Sequence, residues 1–136
     1  MSQENVEVIK RANAALNGGD IDAAFQDYAP DATVRDLLKG PDQPTVVTGI
    51  EAMRQVWALW IEAFDELSAD VQEFIDAENA VVCAVHWHGR GKTSGMNIDV
   101  DQFDVFEFAD GKIVRATLGY RSKAEALEAV GRTPAA

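Results

Sequence analysis

Residues 19–36, "GDIDAAFQDYAPDATVRD", decide how the rest of the chain is read. Asp20 stands where a helix N-cap belongs, and Ile21, Ala24, Phe25 and Tyr28 follow at helical spacing, so a short second helix is expected. Pro30 disfavours helix in the residue before it and is expected to end that helix. From Asp31 the pattern alternates: "DATVRD" (31–36) reads as a half-buried strand that stops on a carboxylate, Asp36. A strand-end aspartate that faces water commonly caps the next turn and carries little meaning. One that faces the interior must be satisfied there, because an unpaired buried charge is costly, and it is then a candidate working group.

Upstream, Val6, Ile9 and Leu16 give a first helix closed by Gly18-Gly19. Downstream, "KGPDQPTVV" (39–47) reads as a loop, and Thr48 with Glu51 has capping-box spacing ahead of a third helix. That helix carries a bulky apolar stripe through Ile50, Met53, Val56 or Trp57, Trp60 or Ile61, Phe64 and Leu67. From Leu67 the period changes to two, and strands follow at 80–91, 96–109 and 112–121. A hairpin tip around "GRGKTSG" (89–95) and a turn at Asp110-Gly111 join them; the former lacks P-loop spacing and no helix follows it. Ser122 and Glu125 repeat the capping-box spacing before a last short helix that Gly131 closes, with 132–136 frayed. The pattern predicts one domain over 1–136 of α+β class: a cone in which helices gather on one face of a curved antiparallel sheet and enclose an apolar pocket.

Composition narrows the function. The net charge of −11, from 23 acids against 12 Lys plus Arg, repels a phosphate backbone, so no nucleic-acid partner is expected. No apolar run approaches the length of a membrane span, and the first residues lack a signal-peptide pattern, so a cytoplasmic protein is expected. The lone cysteine, Cys83, cannot form an internal disulfide and reads as a small buried side chain. His86 and His88 share a strand face but lack a nearby third ligand, so neither a metal nor another cofactor is expected.

The element order, together with residues 19–36, "TGIEAMRQVW" (48–57) and "FADGKIVRATLGY" (108–120), resembles the nuclear transport factor 2-like (NTF2-like) superfamily. That group includes ketosteroid isomerase and the SnoaL-like polyketide cyclases. The ketosteroid isomerase pattern is met by Gly19, Asp20, Ile21, Tyr28, Ala29, Asp31, Ala32, Thr33, Val34 and Asp36, which puts Asp36 at the family's general base. The resemblance puts Asp104 where that family holds a protonated carboxyl as oxyanion donor. The tyrosine that supplies the other donor falls at Ala12, which has no hydroxyl, and an aromatic that supports it aligns with Trp57. The same alignment turns Cys83, Val85 and Trp87 inward and His86 and His88 outward, although a one-residue slip would reverse both sets.

Two functions stay open. The first is a cofactor-free isomerase or cyclase of ketosteroid isomerase or SnoaL type. In it Asp36 is the base and Asp104 the oxyanion partner, with Tyr28, Trp57, Trp60, Trp87, Phe106, Leu118 and Tyr120 around a small apolar substrate. The second, suggested by Ala12, is a non-catalytic ligand carrier or adaptor of the same fold. The resemblance implies a homodimer through the sheet in either case.

Overall fold

In the computed structural model, which describes residues 2–37, 45–92 and 97–131, helix α1 runs Ser2–Asn17. Its end is a Schellman arrangement. Gly19 sits at φ +79°, its N–H donates to the Leu16 carbonyl at 3.1 Å, and the Asp20 N–H donates to that of Ala15 at 2.9 Å. Asp20 then caps α2 (Ile21–Ala24), its carboxylate accepting from the Ala23 N–H at 3.1 Å.

α2 is shorter than the periodicity implies. Tyr28 is the first residue of strand β1 (Tyr28–Asp36), and Pro30 lies inside that strand. β1 pairs in parallel with the last strand at Tyr28↔Ile113 and again from Thr33↔Arg115, and the residues between fall out of register. A residue without an N–H is tolerated at such an irregularity, where no ladder bond is asked of it.

The loop expected over 39–47 also needs correction. Thr45–Thr48 form a sixth strand, β2, paired antiparallel with β1 from Thr33↔Thr48 to Asp36↔Thr45. Residues 39–44 lie outside the described residues, as do 93–95 of the expected hairpin tip and the tail 132–136. Since Thr48 belongs to β2, it does not cap the next helix. Gly49, at φ +92°, occupies the N-cap of α3 (Ile50–Ala63) without a side-chain hydrogen bond, and its N–H donates to the Ala32 carbonyl at 2.8 Å. α3 stops before Phe64, which is extended and opens β3 (Phe64–Asp76).

β4 (Ala80–Gly91), β5 (Asn97–Ala109), β6 (Lys112–Tyr120) and α4 (Lys123–Ala129) complete the chain. The sheet order is β2-β1-β6-β5-β4-β3, antiparallel throughout except between β1 and β6. Asp110 and Gly111, both at positive φ, make the tight β5–β6 turn. The result is an open, curved α+β sheet with helices, of NTF2-like architecture.

Strand alternation gives the sheet two cores. On the inner face, Val6, Val8 and Ile9 of α1 pack with Ala69, Val81, Cys83, Val85, Phe108 and Ile113. Met53 of α3, with Phe25 and Ala32, continues that side. On the outer face, Ala80, Val82 and Val105 lie under Ala126 and Leu127 of α4, whose cap Ser122 accepts from the Glu125 N–H at 3.1 Å. The helices are therefore not all gathered on one face.

Candidate active site

The register Cys83↔Asp104 carries Asp104 of β5 to the inner face, where it is 1% exposed. Three N–H groups point at its carboxylate. Oδ1 accepts from Gln102 Nε2 at 2.8 Å and from the Gly119 backbone at 3.0 Å; Oδ2 accepts from Trp87 Nε1 at 3.3 Å.

The Gly119 N–H is free for this because β6 bulges. Phe103 pairs with Tyr120 and Val105 with Thr117, so β6 inserts an extra residue there, and Gly119 takes φ +102°, a conformation glycine adopts without steric cost. The bulge has a second effect. Simple alternation would put Ala116, Leu118 and Tyr120 on one face, but Tyr120 packs with Phe103 against the α4 cluster, away from Asp104.

Asp36 closes β1, half-buried, in parallel register with Leu118, whose carbonyl accepts from the Leu37 N–H at 2.9 Å. Its charge reaches Asp104. Burial is the main influence that pushes the Asp104 carboxyl up to about 6; the N–H donors of Gln102, Gly119 and Trp87 pull it down, and the Asp36 carboxylate pushes it up again. Tyr28 and Cys83 join the same cluster: burial first, then the Asp104 charge, drives both the phenol and the thiol above their ordinary ranges.

Trp87 also meets Trp57 edge to face, with ring centroids 5.8 Å apart and planes at 65°. The structure thus brings Asp36, Asp104, Tyr28, Trp57, Trp87 and Leu118 into one neighbourhood. Phe106 packs against the α1-side core, and Trp60 stacks on Phe64 at the α3–β3 junction, 5.4 Å between centroids. Ala12, half-buried on α1, brings no hydroxyl.

His86 and His88 point outward, as the inward turn of Cys83, Val85 and Trp87 requires. His86 contacts Asp101 through Nδ1 at 2.7 Å and Asp99 through Nε2 at 2.9 Å, and His88 contacts Asp70 at 2.9 Å. These histidines border an open surface cleft of about 350 Å³. A larger cleft of about 850 Å³ lies between the start of α1 and the β5–β6 turn, bordered by Gln3, Val8, Arg11, Glu78 and Asp110. Neither is lined by Asp36 or Asp104. Among the described residues no group of three or more His, Cys, Asp or Glu is placed to hold a metal ion. No helix among them is long and apolar enough to cross a membrane.

The family model for the SnoaL-like domain matches residues 9–116, from within α1 through most of β6. The chain belongs to the SnoaL-like domain family. Solved structures agree on the fold. This SnoaL-like domain is similar to a candidate SnoaL-like polyketide cyclase from Jannaschia sp. CCS1 (22% identity, 98% of this chain and 95% of that one, TM-score 0.74). It is similar also to an NTF2-like protein from Burkholderia thailandensis (19% identity, 83% and 87%, TM-score 0.74). A third is a protein with a ketosteroid isomerase-like fold from Catenulispora acidiphila, solved in complex with trimethylamine (19% identity, 93% of each chain, TM-score 0.73). No functionally curated protein matches the chain.

Three contributors to the site escape a reading of the sequence: the Gln102 amide, the Gly119 N–H and the donor role of Trp87. Two leave a signal: Gln102, two residues before Asp104, shares its strand face, and Gly119, an isolated glycine inside a strand pattern, marks a bulge.

Proposed function

We propose that this SnoaL-like domain is a small cofactor-free isomerase or cyclase acting on an apolar, enolisable carbonyl compound. The observation that carries the proposal is Asp104, a carboxyl buried to 1% exposure, fixed by three N–H donors and electrostatically coupled to Asp36. Asp36 takes the proton from the carbon next to the carbonyl. The C–H bond breaks, and its electron pair moves onto the carbonyl oxygen. Asp104, protonated at Oδ2, donates to that oxygen while Oδ1 stays bound to Gln102 and Gly119. A developing oxyanion raises the Asp104 pKa in the same sense as Asp36 does, so the proton stays where the oxyanion needs it. Isomerisation ends with the proton returned from Asp36 to a different carbon; cyclisation ends with the enolate carbon forming a bond to a second carbonyl carbon, whose oxygen takes up the proton. Trp57, Trp60, Trp87, Phe106, Tyr28, Leu118 and Tyr120 were expected around such a substrate; Tyr120 is left out of the proposal because it packs with α4. A domain spanning 1–136, homodimerisation through the outer sheet face and a cytoplasmic setting belong to the same proposal.

The test uses 1-tetralone, an apolar bicyclic ketone with exchangeable C2 protons, in D2O, followed by NMR. The expected result is C2 exchange above the buffer rate, reduced by roughly 10²-fold or more in Asp36→Asn. Exchange at the buffer rate, or an Asn variant as fast as the parent, contradicts the proposal. The second reading is a ligand carrier or adaptor without turnover, and the edge-on contact of Trp57 with Trp87 favours the adaptor within it. Ligand-induced stabilisation that survives substitution of both aspartates, with no exchange, selects the carrier.

A further inference from the structure

Two indoles stand against each other on the inner face, and their N–H groups are in opposite situations. Trp87 Nε1 donates to Asp104. Trp57 Nε1, on the inner side of α3, is fully shielded from solvent and has no hydrogen-bond partner among the described residues. An indole nitrogen donates and cannot accept, so no rotation or tautomer of Trp57 relieves this. Burying an unmade hydrogen bond costs folding free energy, and an acceptor arriving with a ligand recovers it.

We infer that the Trp57 N–H is the donor that receives the carbonyl oxygen of the ligand. The inference rests on the enolisable-carbonyl reading above and deepens it in two ways. It defines the ligand class as an apolar molecule with a hydrogen-bond-accepting oxygen, because a site built around an unpaired donor discriminates strongly against analogues lacking the acceptor. It also supplies the second oxyanion contact. Ala12 brings no hydroxyl from α1, whereas Trp57 brings an N–H from α3, one ring contact away from the indole that holds Asp104. Carbonyl oxygen and enolate oxygen are both acceptors, so Trp57 serves before and after proton removal.

The test compares 1-tetralone with tetralin, the hydrocarbon of the same shape that lacks the oxygen. In 15N-labelled protein the three tryptophans give three indole N–H signals, and Trp57→Phe identifies the one in question. Tetralone is expected to move the Trp57 signal downfield, and tetralin is not. Trp57→Phe is expected to weaken tetralone binding about fivefold and tetralin binding less than twofold. A Trp57 signal unmoved by millimolar tetralone, or equal losses for both probes, overturns the inference. If Trp57→Phe does not fold, Trp60→Phe and Trp87→Phe assign the other two signals, and the shift of the remaining one in the parent chain still decides. The two readings fail separately. A shifted Trp57 signal without C2 exchange removes the catalysis and keeps the donor; exchange in Trp57→Phe at the parental rate keeps the catalysis and removes the donor.

Discussion

Trp87 Nε1 and Asp104 Oδ2 lie 3.3 Å apart, a hydrogen bond that ties β4 to β5 across the inner face two rows beyond the Cys83↔Asp104 pair. The indole stabilises the ionised carboxyl and walls the site at the same time. Replacing Trp87 with Phe keeps most of the wall and removes the donor. The Asp104 pKa is then expected to rise above about 6, and stability at pH 8 to fall by about 1–3 kcal/mol, because a buried carboxylate loses a charge-assisted bond. Carboxyl 13C titration and chemical denaturation check both effects; an unmoved titration contradicts the bond's role.

A buried carboxyl whose pKa is raised makes stability depend on pH with a defined sign. Asp104 binds its proton more tightly in the folded chain, at about 6, than in the unfolded chain, at about 3.9. Its contribution is therefore fully present below the unfolded value and is lost as pH rises through about 6. Between pH 4 and pH 8 the stability difference between the parent and Asp104→Asn is expected to change by about 2 kcal/mol, the parent losing ground as pH rises. Urea unfolding across that window gives parallel curves if the group is not perturbed.

Gly119 is held at φ +102°, and a Cβ there would stand 3.7 Å from the Leu37 Cβ, an ordinary contact. The cost of Gly119→Ala is therefore conformational and not a clash. A loss of about 1–3 kcal/mol is expected, together with weakened support of Asp104 Oδ1, whose titration should move upward. Thermal unfolding and carboxyl titration of the variant measure the two effects; a neutral substitution would show that the bulge is not needed.

On the outer face, His86 has a carboxylate oxygen at each ring nitrogen, an arrangement that suits the imidazolium form. The hydrogen bond to Asp101 is the largest influence raising its pKa; desolvation opposes it, and the charges of Asp101, Asp99 on β5 and Asp70 on β3 add to the rise. A raised histidine stabilises below its unfolded value and loses that contribution as pH climbs through the folded value. Asp101→Asn is expected to lower the His86 pKa more than Asp99→Asn does, read from the imidazole Cε1–H signals. Equal shifts, or none, would show that the pairs do not persist in solution.

How legible the chain was depended on the range of the deciding interaction. α1, its glycine stop, β4–β6, the Asp110-Gly111 turn and the Ser122 cap follow from local periodicity and capping chemistry, and they stand where the pattern puts them. Tyr28 shows the opposite case. Its helical spacing with Ile21, Ala24 and Phe25 is overridden by pairing with Ile113, a partner distant in sequence. β2 has only Val46 and Val47 as apolar residues, and Val46 is 53% exposed at the sheet edge, so no burial pattern announces it. Thr48 has capping-box spacing, but its place in the β1–β2 ladder hands the N-cap to Gly49. In the site, the strand pattern raises Asp36 as a candidate and the resemblance gives it a role, whereas Asp104 comes from the resemblance alone. Of the N–H donors around Asp104, Gln102 shares its strand face by alternation, while Trp87 and Gly119 come from neighbouring strands that only tertiary register brings beside it.

The central claim is that Asp36 and Asp104 act as one electrostatic unit inside the sheet, and the titration of Asp104 measures it most directly. With 13C-labelled aspartate, the Asp104 carboxyl is expected to titrate at about 6 in the parent chain and at a lower pH once Asp36→Asn removes the neighbouring charge. An Asp104 titration near the ordinary aspartate value of about 3.9, or one that Asp36→Asn leaves unmoved, would contradict the account.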